Sequence, residues 1–311
     1  MSPSPELFRA LAVVSEGASP SHQRVAASLG VTADPAAYAD LFCFQLPPYA
    51  SIHLGPEGML GGEAAERVAG FWRALGLVPP AEPDHLAALL GLYASLVEAE
   101  AGEGDPARRL LWGEARRALL WEHLLVWVPG YARAAARVAG PGYRPWAEVL
   151  LTALVAEATA GPYGDRPLPL HLREAPPALA GVFEEDGRGD EYLGHLLAPA
   201  RSGMVITRQD LAGAARRLGL GLRMGERRFA LSALVAQDPV AVIGWLADVA
   251  RSWAEEHGRL VGALGPVALY WRRRAKEAET DLRRRRREAK RAAAMPRDAT
   301  SRRSACDPVI A

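Results

Sequence analysis

Three aspartate–proline pairs, Asp34-Pro35, Asp105-Pro106 and Asp238-Pro239, constrain this chain more than any other feature. An aspartate at such a point accepts hydrogen bonds from the free amides of a first helical turn. A proline just inside the turn loses nothing, because its missing N–H has no intrahelical partner there. Thr207-Arg208-Gln209-Asp210 adds a fourth start signal, with a hydroxyl three residues before an acid. The composition agrees: only four isoleucines and six threonines stand against abundant Ala and Leu, and few runs alternate with period two. The fold class expected is all-α, a helical bundle. Its helices are expected near 5–16, 20–29, 35–45, 63–76, 84–101, 106–127, 130–139, 144–160, 208–218, 226–236, 239–257 and 266–293.

The helix after Asp84 is the most clearly patterned. Leu86, Leu89, Leu90, Tyr93, Leu96 and Val97 recur at three-four spacing, with small residues between them, which makes a buried stripe in a bundle. Trp245, Val249 and Trp253 form a second stripe and read as core. Between Gly161 and Ser202 the pattern fails, with prolines at 162, 167, 169, 176, 177 and 199 and the acidic run Glu184-Glu185-Asp186. The expected organisation is an N-terminal bundle over 1–160, a Pro/Gly-rich hinge over 161–202, a smaller helical unit over 203–265, and a basic helix with a tail over 266–311.

The net charge of +1 hides a division. From Trp271 onward there are 14 Lys+Arg against 6 Asp+Glu, which leaves 23 against 30 in the first 270 residues. An acidic body favours a cationic partner. The amino terminus has no basic region followed by an apolar run, and no 18 consecutive residues are apolar, so a secretory leader and a membrane-spanning helix are both unexpected. Cys43 and Cys306 stand too far apart for a disulfide framework or metal knuckle. There is no Gly-x-Ser-x-Gly, His-Glu-x-x-His, Cys-x-x-Cys or P-loop, and the seven histidines never fall at three- or four-residue spacing. No catalytic residue, metal site or cofactor is therefore called, and the chain does not read as an enzyme.

Three short blocks carry the functional signal. Glu82-Pro83-Asp84-His85 opens the striped helix; Glu122-His123 leads to Trp127, Pro129 and Tyr131; and Leu46-Pro47-Pro48-Tyr49 follows an early helix. The carboxylates of Glu82 and Asp84 are the planar, charged acceptors that guanidinium groups require. Read plainly, one of them caps the helix and His85 packs on Leu89. Pro129 breaks the preceding helix, so Trp127 and Tyr131 flank a bend, either as apolar walls for a ligand or as core filling a kink. His123 is a switchable polar group.

Taken in chain order, with the Pro-Tyr loop first, the blocks resemble those of the TorD/DmsD/NarJ family of cytoplasmic chaperones for molybdenum-containing redox enzymes, although Pro83 and Asp84 are adjacent where the family usually has one residue between them. The resemblance implies a cytoplasmic protein that binds the twin-arginine leader of a molybdopterin-containing oxidoreductase, or its apo form. It would assist cofactor insertion and delay export. It also implies a peptide-binding site at Tyr49, Glu82, Pro83, Asp84, His85, His123, Trp127, Pro129 and Tyr131, in a monomer or a domain-swapped homodimer. Residues 199–228 resemble an extension of longer relatives.

Two other readings rest on the remaining features. The arginine-rich segment from Trp271 is expected as a solvated terminal helix. Alternatively it is a basic arm contacting nucleic acid, and Ser301-Arg302-Arg303-Ser304 has the look of the start of a twin-arginine leader. Gly219, Gly221 and Gly225 follow a helix rather than a strand, so a turn is expected there in preference to a phosphate loop of a nucleotide-binding enzyme.

Overall fold

The computed structural model describes residues 3–32, 34–56, 58–161, 163, 166–179 and 189–294. Residues 184–188, Cys306 and the run at 301–304 lie outside them. Every named element among the described residues is helical. In chain order these are α1 (Pro5–Glu16), α2 (Pro20–Ser28), α3 (Pro35–Tyr38), α4 (Ala50–Leu54), α5 (Gly62–Ala74), α6 (Leu86–Gly102), α7 (Pro106–Ala118), α8 (Val128–Val138) and α9 (Arg144–Ala160). They continue with α10 (Leu170–Arg173), α11 (Gly189–Leu197), α12 (Pro199–Ser202), α13 (Arg208–Leu218), α14 (Arg227–Gln237), α15 (Pro239–Arg259), α16 (Val261–Leu264) and α17 (Pro266–Ala294).

The start signals act as their chemistry requires. Asp34 accepts from the Ala37 N–H at 3.0 Å, Asp105 from Arg108 at 2.9 Å and Asp238 from Ala241 at 2.8 Å, each satisfying a first-turn donor. Thr207 and Asp210 exchange both bonds of a capping box ahead of α13. Two helices do not stop at their α-helical ends. α3 and α7 widen into π-helical turns over Ala39–Gln45 and Leu119–Leu124, closed by Leu46 N–H to Leu41 O and Leu125 N–H to Leu120 O, both 2.8 Å. The sequence signals no such widening.

The α6 stripe is sealed against α1, where Phe8 meets the Tyr93 ring edge-on at 4.7 Å. Trp146 of α9 closes the same core by donating its indole N–H to Leu11 O at 3.0 Å. Among the described residues, the stretch expected to be mostly irregular, 161–202, holds three short helices, α10 to α12. Its early part is pinned to the bundle: the Trp121 indole donates to Pro167 O at 3.0 Å, and the Glu122 carboxylate accepts from the Leu170 N–H at 2.8 Å.

α17 departs from the solvated helix expected of it. Val267, Tyr270, Trp271, Ala275, Ala278 and Leu282 are buried along one face, mostly against α15. The Trp271 indole donates to Val126 O at 2.8 Å, which anchors the helix in the N-terminal core. Only its end, from Arg283, is mostly exposed. Arg137 to Val205 O at 3.1 Å and Gln209 N–H to Gln45 at 3.0 Å are further ties between the early and late helices.

Candidate functional site

The Pro-Tyr loop and the Glu82–His85 block lie against each other. They form the one isolated antiparallel bridge among the described residues, between Tyr49 and His85. Two backbone bonds make it: Ala50 N–H to Asp84 O at 3.1 Å, and Leu86 N–H to Pro48 O at 2.8 Å. Side chains reinforce the clip. Asp84 is 4% exposed, and its carboxylate accepts from the Ser51 N–H at 2.9 Å, capping α4 from across the chain. α4 needs this cap because its own N-cap residue, Tyr49, provides none. His85 caps α6, its Nδ1 accepting from the Ala87 N–H at 3.1 Å, and the Tyr49 ring packs edge-on against the imidazole at 4.8 Å.

The solvent side of the clip gathers carboxylates and aromatic groups. Glu82 is exposed, while Pro83, His85 and Tyr49 are half-buried. Burial and then a hydrogen bond to Glu82 push the Tyr49 phenol pKa up. Burial lowers the His85 pKa, against the opposing pull of Glu82, Glu16 and Asp84. Tyr38 is raised by burial first, and then by charges that include Glu16 and Glu82. Glu16, exposed at the end of α1, and Tyr38 therefore belong to the same spot. No sequence signal places them there; they arrive through the packing of α1 and α3 beside the clip.

The second block stands behind α4. Trp127 is 2% exposed, and Pro129 and Tyr131 are buried. The Trp127 indole donates to His123 O at 2.9 Å, and the Tyr131 hydroxyl donates to Leu46 O at 3.1 Å, so both rings are fixed as core. His53 of α4 joins the blocks by stacking on Trp127 at 5.1 Å and meeting Tyr131 edge-on at 5.4 Å. Burial lowers its pKa to about 3. His53 was not singled out from the sequence, since it sits on a helix too short to be recognised. His123 faces the opposite way. It is buried, with its Nδ1 3.3 Å from His171 Nε2. Burial takes His123 to about 3 and His171 to about 4.

The blocks are thus joined through α4. Asp84, His123, Trp127, Pro129 and Tyr131 are buried, while Glu82 is exposed and Pro83, His85 and Tyr49 are half-buried. Gly219 ends α13 with φ +68°, and the turn after it is closed by Gln237, which bonds both the N–H and the carbonyl of Gly221 at 2.8 Å. Along α17 the arginines interleave with acids: Arg284 and Arg285 hold Asp281, and Arg283 pairs with Glu279 at 2.6 Å. No group of three or more His, Cys, Asp or Glu among the described residues could hold a metal ion. No helix among them is long and apolar enough to cross a membrane.

Residues 23–133 match the family model described as nitrate reductase delta subunit, a NarJ/TorD-type family of chaperones for molybdoenzyme maturation. The match covers well under half of the chain. It contains all three blocks and does not reach residues 199–228. No curated protein matches the chain, and no solved structure does.

Proposed function

We propose that this protein is a maturation chaperone for a molybdenum-containing oxidoreductase, and that it engages the cationic leader of that client at the surface of the Tyr49–His85 clip. The observation that carries the reading is the family match over residues 23–133, a span that holds the two sequence blocks the clip fastens together. Glu82 and Glu16 offer two exposed carboxylates beside Tyr38, Tyr49 and His85. Two adjacent guanidinium groups need such charged, planar acceptors, and aromatic faces beside them add cation–π attraction. Asp84, His53, Trp127 and Tyr131 hold the clip in shape from below. In this reading the protein is cytoplasmic and is not itself an enzyme.

A leader folding onto this surface pays an ordering cost, so its affinity is modest unless the client's folded part adds contacts. Calorimetry with a synthetic peptide of two adjacent arginines followed by an apolar stretch tests the reading. Glu82→Gln should weaken binding about tenfold, the loss of one charge-assisted bond of about 1.4 kcal/mol. Arg283→Ala, on the exposed end of α17, should leave it unchanged. If neither the peptide nor a full-length apo-client binds, the chaperone reading fails.

A further inference from the structure

The starts of α13 and α14 are tied together by two reciprocal bonds. Arg208, first in α13, donates to the Gly225 carbonyl at 2.6 Å, just before α14. Arg227, first in α14, donates to the Ile206 carbonyl at 2.8 Å, just before α13. A guanidinium has five donors, and these bonds engage one nitrogen of each. Neither arginine is paired with a carboxylate among the described residues. Burial lowers the Arg227 pKa, and the charge of Arg208 beside it adds to the effect. Two like charges held together, one of them largely out of water, form an arrangement that an anion relieves.

Both side chains line an open cleft of about 650 Å³ between α14, α11 and the loop after α4. Glu191 and Glu226 also line it, but the charge that acts on the Arg227 guanidinium besides burial is that of Arg208. Around the cleft and the α14 start, large apolar side chains stand in solvent: Met59 at 66%, Leu60 at 62%, Met224 at 85% and Phe229 at 50%. Exposed flexible methionines beside an unneutralised charge mark a contact surface.

We propose that this cleft docks an acidic, apolar segment of a partner polypeptide, with Arg208 and Arg227 taking its carboxylates and Met59, Met224 and Phe229 its apolar side chains. A small phosphorylated molecule is the poorer fit, because such ligands are mostly enclosed by their pockets and this cleft is open. The partner chemistry is opposite in sign to a twin-arginine leader. The surface is therefore separate from the Tyr49–His85 clip and does not depend on the function proposed for it.

Fluorescence anisotropy on the full chain tests this with a labelled peptide of repeated Glu-Glu-Phe-Leu against its Gln-Gln-Phe-Leu counterpart. The acidic peptide should bind at least about tenfold more tightly at low salt, and raising the salt should erode that preference. Arg208→Gln with Arg227→Gln should abolish it, while Arg272→Gln with Arg273→Gln on α17 should not. Because the first pair also ties two helices, Met59→Ser with Met224→Ser gives a second reading on exposed positions and should weaken the acidic peptide several-fold. Equal binding of the two peptides overturns the proposal. So does tight binding of inorganic pyrophosphate with no binding of the acidic peptide.

Discussion

The carboxylate of Asp84, just ahead of α6, accepts from the backbone N–H of Ser51 in α4 at 2.9 Å, 33 residues away in sequence. An acid that stands at the mouth of α6 therefore works as the cap of α4. Removing it by Asp84→Ala leaves a buried N–H without an acceptor and should cost about 1–3 kcal/mol of unfolding free energy. Asp84→Asn keeps an oxygen at the site and should cost less. Urea unfolding of the two variants distinguishes them, and equal stability would show that the cap is idle. Glu82→Gln, on the exposed side of the same block, should shift stability by no more than about 0.5 kcal/mol. It is therefore the variant that tests the proposed leader binding, whereas a loss of binding in Asp84→Ala would report on the scaffold.

Four buried histidines make stability depend on pH in a window of their own. His53 and His123 are lowered to about 3 and His171 and His257 to about 4, in every case chiefly by burial, against an ordinary value of 6.5. The unfolded chain binds their protons as the pH falls through 6.5, while the native chain does not. Stability is therefore fully present above pH 6.5 and declines as the pH falls toward the native values. Each histidine contributes a slope approaching about 1.4 kcal/mol per pH unit. Carboxylates titrate lower, so urea midpoints between pH 6.5 and 5 isolate the histidines. Burial also lowers His85 and His195, so His171→Gln should reduce that slope by no more than roughly a quarter, and a flat profile across the window would contradict the burial.

Several helices were legible because their starts are signalled. Asp34, Asp105, Asp238 and Thr207 cap where their dipeptides or capping box predict, and the Leu86–Leu96 stripe is interior as its period requires. α4, α10, α12 and α16 were not, since four or five residues show no period and their stability comes from tertiary partners. That omission explains the partial reading of the site. α4 is the piece that clips Tyr49 to His85 and sets His53 between Trp127 and Tyr131. Without it, Asp84 and Trp127 read equally well as ligand contacts or as supports. Glu16 and Tyr38 could not be found because only packing brings them beside Glu82.

The arginine-rich helix should respond to mutation as a core element over its first half. Trp271 fills the junction of α15 and α17 and bonds Val126 O, so Trp271→Ala should cost about 3–5 kcal/mol, a large fraction of ordinary domain stability. Arg287→Ala, exposed further along the same helix, should change stability by less than about 0.5 kcal/mol. Thermal unfolding of the two proteins decides the matter. A mild Trp271→Ala would return α17 to the status of an appended arm.

A part-buried ion network couples α6, α7 and α9. Arg116 holds Glu100 at 2.6 Å and Glu157 at 3.1 Å, and the Tyr93 hydroxyl also donates to Glu157. The Glu157 side chain is buried, so Arg116→Met leaves a carboxylate out of water with only a phenol beside it. The expected cost is about 3–5 kcal/mol. Replacing both charges, by Arg116→Met with Glu157→Leu, removes the stranded charge and should recover most of that loss, since well-packed apolar groups often substitute for a buried ion pair with little penalty. A double-mutant cycle by urea unfolding measures the coupling, which should exceed about 1.5 kcal/mol. If the two single losses simply add, Glu157 is solvated well enough not to need Arg116, and the network is surface decoration instead of a brace between the three helices.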